Sequence, residues 1–459
     1  MLAREEGLSR DLTAGRQAMM AMGGVIGTGL FLGSGIAVGV AGPAVILSYV
    51  IGAAIAAMLA TALTEMCVVH PAAGSFGVQA EHYLSPFGGF AVRTSFCVLH
   101  WIATGGHMVA IAIYMRYWFP DIPSPIWIMG FAVGLLYVNA RAVRTLGEFQ
   151  YWFVWVKVSA LIMFVVLAAA VLVGWVGDQA PGLTNYTAHG GFMPGGLVGI
   201  WLGAAIAFYA FMGCENVAVS SGESRDPRTA IPRAHIRLVG GVAVLYVATM
   251  ALMVGIMPWN RAGVAESPFV TVLGWSGIPF AAAVMNVVVL SAALSAANDN
   301  FYIISRMLFS LSRSGYLPDS IGVLNTRQVP FNALLLAGST LAVPVVVGAL
   351  WPNSAYVWFL GVSLFGGMLV WVTIFLTHLR FRRHWDAPGA APLPVRIPWA
   401  RWTSGLGAIL TLAVLVSTWW VPNLKITLLV AIPWLLILAL GYRATRRGAV
   451  SQGRREPTG

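Results

Sequence analysis

Runs of about 20 apolar residues recur along almost the whole chain, and each is long enough to cross a bilayer as a helix. Measured with that ruler, the sequence divides into twelve spans, near 17–40, 43–69, 88–119, 125–140, 149–174, 197–220, 236–257, 279–305, 331–350, 355–378, 403–421 and 426–442. Of the 459 residues, 58% are hydrophobic and 9% are charged, against about 25% charged in soluble domains. The expected fold class is therefore an all-α polytopic membrane protein. The third and eighth spans are long enough to tilt or to project from the membrane.

The basic residues orient these spans. With the N-terminus inside, the inner segments hold Arg4, Arg10, Arg16, Arg93, Arg141, Arg144, Arg225, Arg228, Arg233, Arg237, Arg306, Arg313 and Arg327. Arg380, Arg382, Arg383, Arg396 and Arg401 follow, and the tail adds Arg443, Arg446, Arg447, Arg454 and Arg455. The outer side has Arg116, Arg261 and Lys425, and the 175–196 loop has no Lys or Arg. This positive-inside pattern predicts both termini in the cytoplasm and a multi-pass protein of the cytoplasmic (inner) membrane. It also accounts for the net charge of +11 without a nucleic-acid partner, and the basic tail suits contact with anionic membrane lipids. The N-terminal segment has no small-residue cleavage signature, so no removable signal peptide is expected. Cys67, Cys97 and Cys214 all fall in apolar segments and suggest neither a disulfide framework nor a metal site.

Within the first span, six of the thirteen residues from Gly23 to Gly35 are glycine. Close helix packing would use such a run, and so would a helix break whose freed backbone groups line a polar cavity. The sixth span carries the parallel feature: Phe208-Tyr209-Ala210-Phe211-Met212-Gly213-Cys214-Glu215-Asn216, with a glycine near mid-span and an acid and an amide beyond it. Interrupted spans five apart divide ten spans into two sets of five, and an odd number inverts the second set. Paired interruptions at corresponding positions point to a transport site at mid-membrane. Free N–H groups at half-helix starts suit a carboxylate, and free carbonyls suit an ammonium. An α-amino acid zwitterion offers both.

Other polar residues in apolar surroundings are candidates for function. Glu65, near the cytoplasmic end of span two, reads as a gate or packing pair, as a surface carboxylate, or as a coupling site. His100, Thr104 and His107 share one face of span three. They are compatible with a proton site or with neutral hydrogen bonds between helices; no Cys, Asp or Glu lies nearby in sequence to make a metal site. Lys157, one and a half turns inside span five, either snorkels to the interface or is buried with carboxylate or carbonyl partners. The polar cluster Asn298–Asn300 falls near the inner end of span eight, facing an inward vestibule or pairing with Arg306. A short helix is expected around 78–83, and Pro232 reads as the start of the next helix.

These residues carry a family likeness. Gly24-Val25-Ile26-Gly27-Thr28-Gly29-Leu30-Phe31 with Gly33-Ser34-Gly35, and Glu65 with Pro71-Ala72-Ala73-Gly74-Ser75-Phe76, are joined by Lys157-Val158 and Phe211-Met212-Gly213-Cys214-Glu215. Gly222-Glu223-Ser224-Arg225-Asp226-Pro227-Arg228-Thr229-Ala230-Ile231-Pro232 and Asn298 with Ser305-Arg306-Met307-Leu308-Phe309-Ser310-Leu311 complete the set. From about residue 10 to 445, the chain resembles bacterial amino acid permeases of the amino acid–polyamine–organocation superfamily, amino acid transporter subgroup. The resemblance implies twelve transmembrane helices: a LeuT-like core that is a five-plus-five inverted repeat with discontinuous helices one and six, plus helices eleven and twelve. In that arrangement 1–15 is a cytoplasmic segment, 16–174 and 195–378 are the two repeats, 402–443 holds the last two helices and 444–459 is a basic tail.

The resemblance further implies a transporter, not an enzyme, that takes up an amino acid with protons and needs no cofactor. The backbone of Ile26, Gly27, Thr28 and Gly29 would hold the carboxylate, and that around Phe208, Ala210 and Phe211 the amine. Lys157 looks like the family lysine that stands in for a sodium ion and links spans one and five. Span three offers His100, Trp101 and Thr104 where relatives carry an acid or amide, which favours a neutral substrate over lysine or arginine. Trp101, Phe208, Phe211 and Trp358 would line either a tight small pocket or a roomy aromatic one, with Phe208 as an outward-side lid. Lys157, Glu65, Glu215 and Phe208 are the expected coupling and gating residues. An exchanger of the same fold and an amine or ethanolamine permease are the alternatives; oligomeric state is not legible.

Overall fold

A computed structural model describes residues 13–453 except 73, 142–145, 177–181 and 324–330. Ala73, Arg4, Arg10, Arg144, Arg327, Arg454 and Arg455, and most of the expected 1–15 segment, lie outside the described residues.

The regular structure is helical. In chain order come α1 (Ala14–Val25), α2 (Thr28–Phe31), α3 (Ser34–Ala41), α4 (Val45–Val69), α5 (Ser75–Tyr83), α6 (Pro86–Met115) and α7 (Ser124–Arg141). They are followed by α8 (Leu146–Leu172), α9 (Thr184–Thr187), α10 (Gly196–Phe211), α11 (Asn216–Val219), α12 (Pro227–Ile256), α13 (Pro268–Trp275) and α14 (Ala281–Arg313). The last are α15 (Phe331–Ser339), α16 (Ala342–Leu350), α17 (Ala355–Trp385), α18 (Ala400–Ser417), α19 (Ile426–Leu429) and α20 (Ala431–Gly453). Among the described residues, ten helical segments are long and apolar enough to cross a membrane, and Ser124–Val138 is a shorter apolar helix. Exposed apolar side chains such as Met129, Val133, Leu335, Val346, Ile432 and Leu436 give the outer surface a lipid-compatible character. This is a multi-pass membrane protein.

Local chemistry sets the helix ends. Ser85 caps α6, its Oγ accepting from Gly88 N at 3.0 Å ahead of Pro86 in the first turn. The helix expected to begin at Pro232 begins at Pro227 instead. Asp226 is its cap: Oδ1 accepts from Arg228 N at 3.2 Å and Oδ2 from the Thr229 hydroxyl at 2.6 Å. Pro232 therefore lies inside α12. The short helix expected around 78–83 is α5, which starts slightly earlier, at Ser75.

Two groups of helices form the interior. In one, α4 packs along α10 and α12, α1 along α12, and α3 along α10. In the other, α6 packs along α14 and α17 and also meets α7 and α16. Helix α8 touches both, through α1 and α12 on one side and α14 on the other. The two groups face each other where α1 and α10 are interrupted.

Candidate functional site

The first interruption lies between α1 and α2. Ile26 N donates to Met22 O at 2.9 Å, closing α1, and Gly27 turns the chain into an extended conformation (φ −138°, ψ −157°). The next backbone donors to be taken up locally are Leu30 and Phe31, both to Gly27 O at 3.2 Å. The N–H groups of Gly27, Thr28 and Gly29 thus precede the first closed turn. Carbonyls around the break are held by side chains from elsewhere. Lys157 Nζ donates to Gly23 O at 2.7 Å, the Tyr246 hydroxyl to Val25 O at 3.0 Å, and the Tyr356 hydroxyl to Thr28 O at 2.8 Å. Four helices, α8, α12, α17 and α1 itself, therefore satisfy the broken backbone, as an apolar medium demands.

The second interruption follows α10. Met212 is extended (ψ 140°), and Gly213 has φ +104°, a conformation that costs a side-chain-bearing residue dearly. Glu215 Oε2 accepts from Gly213 N at 2.9 Å, so a fully buried carboxylate stabilises the break. The Trp371 indole N–H approaches the same carboxylate. The two breaks touch: a Cβ on Gly213 would lie 3.2 Å from Gly24 C and Val25 N, and one on Gly29 would lie 2.9 Å from Tyr209 Cδ1. The glycines expected for packing or for a break do both.

Between the breaks is a cavity of about 40 Å³. Ligand pockets open to about 300–1,000 Å³, so the molecule is closed around its site. Gly27 and Gly29 line it from the first break, Tyr209, Gly213, Glu215 and Asn216 from around the second, and His100, His107 and Asn300 from α6 and α14. His107 Nδ1 pairs with the Thr28 hydroxyl at 2.9 Å. His100 Nδ1 donates to Phe96 O at 2.8 Å, which leaves Nε2 as the acceptor of a neutral ring. Asn300 Nδ2 donates to Thr104 Oγ1 at 3.1 Å and His100 O at 3.3 Å.

Of the residues singled out in the sequence, Gly27, Gly29, His100, His107 and Glu215 line this cavity. Ile26 and Thr28 are buried in the same turn. Thr104 stands behind Asn300, and Ala210 backs Gly29. Phe208 packs at a tilt against Trp371, centroids 4.3 Å apart, and Phe211 packs on Tyr246 at 5.2 Å; neither lines the cavity in this closed state. Trp101 is partly exposed, and Trp358 is 37% exposed and pairs with Trp351. Lys157 is fully buried on Gly23 rather than snorkelling, with Asp299 as its electrostatic neighbour.

Glu65 lies elsewhere. It too is fully buried, accepting from His378 Nε2 at 2.9 Å and Ile397 N at 2.6 Å, with Arg382 Nε at 3.4 Å. The surface-carboxylate reading does not describe it. His378 continues to the Ser404 hydroxyl at 2.8 Å, so the node ties α4 to α17 and α18. Arg306 pairs with Glu223 at 3.3 Å. Tyr209 and Asn216 were not among the expected site residues, and Asn300 was expected only at an inward vestibule or beside Arg306. Polar type in an apolar run was signal enough for the two amides, whereas a tyrosine beside the named phenylalanines gave none. Among the described residues, no three His, Cys, Asp or Glu side chains are grouped to hold a metal.

Comparison with known proteins agrees with this architecture. The chain is 30% identical over 444 residues to the "Uncharacterized amino acid permease YtnA" of Bacillus subtilis (strain 168), covering 96% of both chains. It is 33% identical over 439 residues to the "Aromatic amino acid transport protein AroP" of Escherichia coli (strain K12), covering 95% of both. In fold it is similar to a manganese transporter of Eremococcus coleocola, with a TM-score of 0.56 at 12% identity, covering 96% of this chain and 98% of that one. The family described as "Amino acid permease" matches residues 17–453. The chain belongs to the amino acid permease family, whose members are transporters rather than enzymes.

Proposed function

We propose that this permease takes up a neutral L-amino acid across the cytoplasmic membrane by proton symport, through alternating access. The observation that carries the reading is the meeting of two helix breaks at a small closed cavity, with the N–H groups of Gly27, Thr28 and Gly29 at one edge and the end of α10 at the other. The substrate carboxylate is assigned to that N–H edge, and the ammonium to the backbone around Phe208, Ala210 and Phe211. Twelve spans, with five-plus-five inverted symmetry and both termini cytoplasmic, are the topology that goes with this site.

Glu215 is the carboxylate that both lines the cavity and holds the second break together. We assign it the transported proton: protonation would weaken its acceptance from Gly213 N and loosen the break, coupling charge to shape. Lys157 supplies an ammonium between α1 and α8, in the place where a sodium ion would otherwise be needed, and Glu65 holds α4 against α17. Rocking of the group containing α1, α4, α10 and α12 against α6, α7, α14 and α16 would open the site to either side, with Phe208 leaving Trp371 to cover the bound substrate.

Purified protein in sealed vesicles tests this. Uptake of labelled neutral amino acids should rise with an inward proton gradient and fall when an ionophore collapses it. Uptake that ignores the gradient and follows sodium would overturn proton coupling, and uptake that needs internal amino acid would identify an exchanger.

A further inference from the structure

The cavity wall carries hydrogen-bonding side chains that the carboxylate and ammonium do not account for. Asn216 follows the second break directly and lines the cavity, and its Oδ1 is buried without a hydrogen-bond partner. Its amide is held close against α1: a Cβ on Gly24 would come within 2.6 Å of Asn216 Nδ2. Unpartnered buried carbonyl oxygens are rare and call for an explanation. Opposite, Asn300 spends its Nδ2 on Thr104 and His100 O, so Oδ1 is the atom of that amide left for the cavity it lines. His100 gives its Nδ1–H to Phe96 O, and what it has left is the Nε2 acceptor. Three elements (the second break, α6 and α14) thus offer acceptors around one space.

We propose that Asn216 and Asn300, with His100, read the side chain of the substrate, and that this side chain is uncharged and carries an N–H or O–H donor: a carboxamide, hydroxyl or imidazole. The inference rests on the amino acid permease site described above and narrows its substrate class. An aliphatic or phenyl side chain would leave Asn216 Oδ1 buried and unpaired in the loaded state, which is how a polar site rejects an apolar isostere. An acidic side chain would bring its carboxylate against the acceptor oxygen of Asn216. A cationic one would add a second positive charge near the ammonium of Lys157, which is fixed at Gly23 behind the first break. Asn216 and Asn300 act as specificity-determining residues, and the breaks themselves recognise what all α-amino acids share.

Isosteric competition tests the proposal. In vesicles containing the full-length protein, uptake of labelled L-asparagine and of labelled L-leucine is compared, with unlabelled threonine and valine as competitors. Asparagine should be taken up at least tenfold more efficiently than leucine, and threonine should compete at least tenfold better than valine. Asn216→Leu and, separately, Asn300→Leu should shrink the asparagine-to-leucine ratio at least tenfold while leucine uptake persists, which also shows that each variant is folded. Preferential uptake of leucine or phenylalanine by the unaltered protein overturns the proposal and leaves the permease site standing. So does an equal loss for asparagine and leucine in both variants, because that places the amides at the shared ammonium. Uptake of no amino acid, with uptake of a decarboxylated amine, overturns the underlying reading as well.

Discussion

Replacement of Lys157 by methionine would test the clamp between α1 and α8. Lys157 is fully buried, and its ammonium donates to Gly23 O at 2.7 Å, one turn before the first break. Methionine keeps most of the volume, so little of the effect would come from a cavity. What is lost is a hydrogen bond from a charged donor, about 1.5–3 kcal/mol, with Gly23 O left to find another partner in an apolar surround. At about 1.4 kcal/mol per factor of ten, the conformation in which α1 is clamped to α8 would lose about 10- to 150-fold in population relative to unclamped ones. If transport passes through the clamped state, initial uptake driven by a proton gradient should fall by a comparable factor. The assay is initial-rate uptake in vesicles, with size-exclusion profile and thermal midpoint recorded on the same preparation. A midpoint lowered together with uptake, and a Lys157→Met/Asp299→Asn double variant less impaired in stability than the sum of the singles, would support a charge in balance with its surroundings. Uptake within twofold of the unaltered protein, with the same response to the gradient, would refute the clamp.

Three further outcomes follow from geometry. Gly29→Ala would place a methyl 2.9 Å from Tyr209 Cδ1 and 3.2 Å from Ala210 Cα; overpacking of this kind costs about 1–3 kcal/mol, so a lower thermal midpoint and weaker uptake are expected, and an unchanged midpoint would show that the breaks do not pack so closely. Glu65→Gln removes the charge that faces His378 at 2.9 Å and Arg382 at 3.4 Å. Breaking a buried pair costs about 3–5 kcal/mol, and a midpoint insensitive to the change would return Glu65 to the solvated surface. His70, just beyond α4, has its pKa pushed down to about 4 by burial and by the neighbouring His82 and His384. The Tyr83 hydroxyl meets its Nε2 at 2.7 Å while accepting from Trp385 Nε1 at 3.1 Å, an arrangement that suits a neutral ring. Because the unfolded chain takes up this proton first, stability should decline as pH falls from about 6.5 towards 4. His70→Gln should flatten that part of the pH–midpoint curve, and an unaltered acid limb would count against it.

Legibility in the sequence followed the physics of each signal. Apolar runs announce membrane helices because lipid tolerates little else, and the helices α4, α6, α12, α14 and α17 lie where those runs lie. Glycine content alone was ambiguous at Gly23–Gly35, since close packing and chain reversal both call for a missing Cβ. The contact between Gly29 and Tyr209, and that between Gly213 and Gly24, show that both demands act on the same residues. Side-chain direction was less accessible. Phe208 and Phe211 neighbour Tyr209 in sequence, yet only Tyr209 turns towards the cavity. That choice depends on the rotation of α10 about its axis, which α4 and α3 set by packing. Pairing across long separations was not legible either: Glu65 and His378 are 313 positions apart, and nothing local to either one names the other.

The same long-range ties explain why the cavity is closed and what would have to change to fill it. On one side of the site, Gln17 Nε2 holds Ser220 O at 2.9 Å, and Glu223 accepts from the Tyr302 hydroxyl at 2.9 Å while pairing with Arg306 at 3.3 Å. These bonds join the segment after the second break to α1 and to α14. Glu223 and Arg306 are 14% and 17% exposed, so water can replace their partners at moderate cost when they separate. Glu65 and His378 are fully buried and have no such replacement at hand. The two carboxylates therefore suit different tasks. In the proposed alternating-access cycle, the Glu223 contact would be the one to open and reclose, while the Glu65 node would keep α4 and α17 together. Glu223→Gln should accordingly raise the fraction of molecules open on that side, read as faster labelling of a cysteine introduced at Asn216, whereas Glu65→Gln should lower the thermal midpoint. Equal effects of the two substitutions on labelling and on midpoint would erase the distinction.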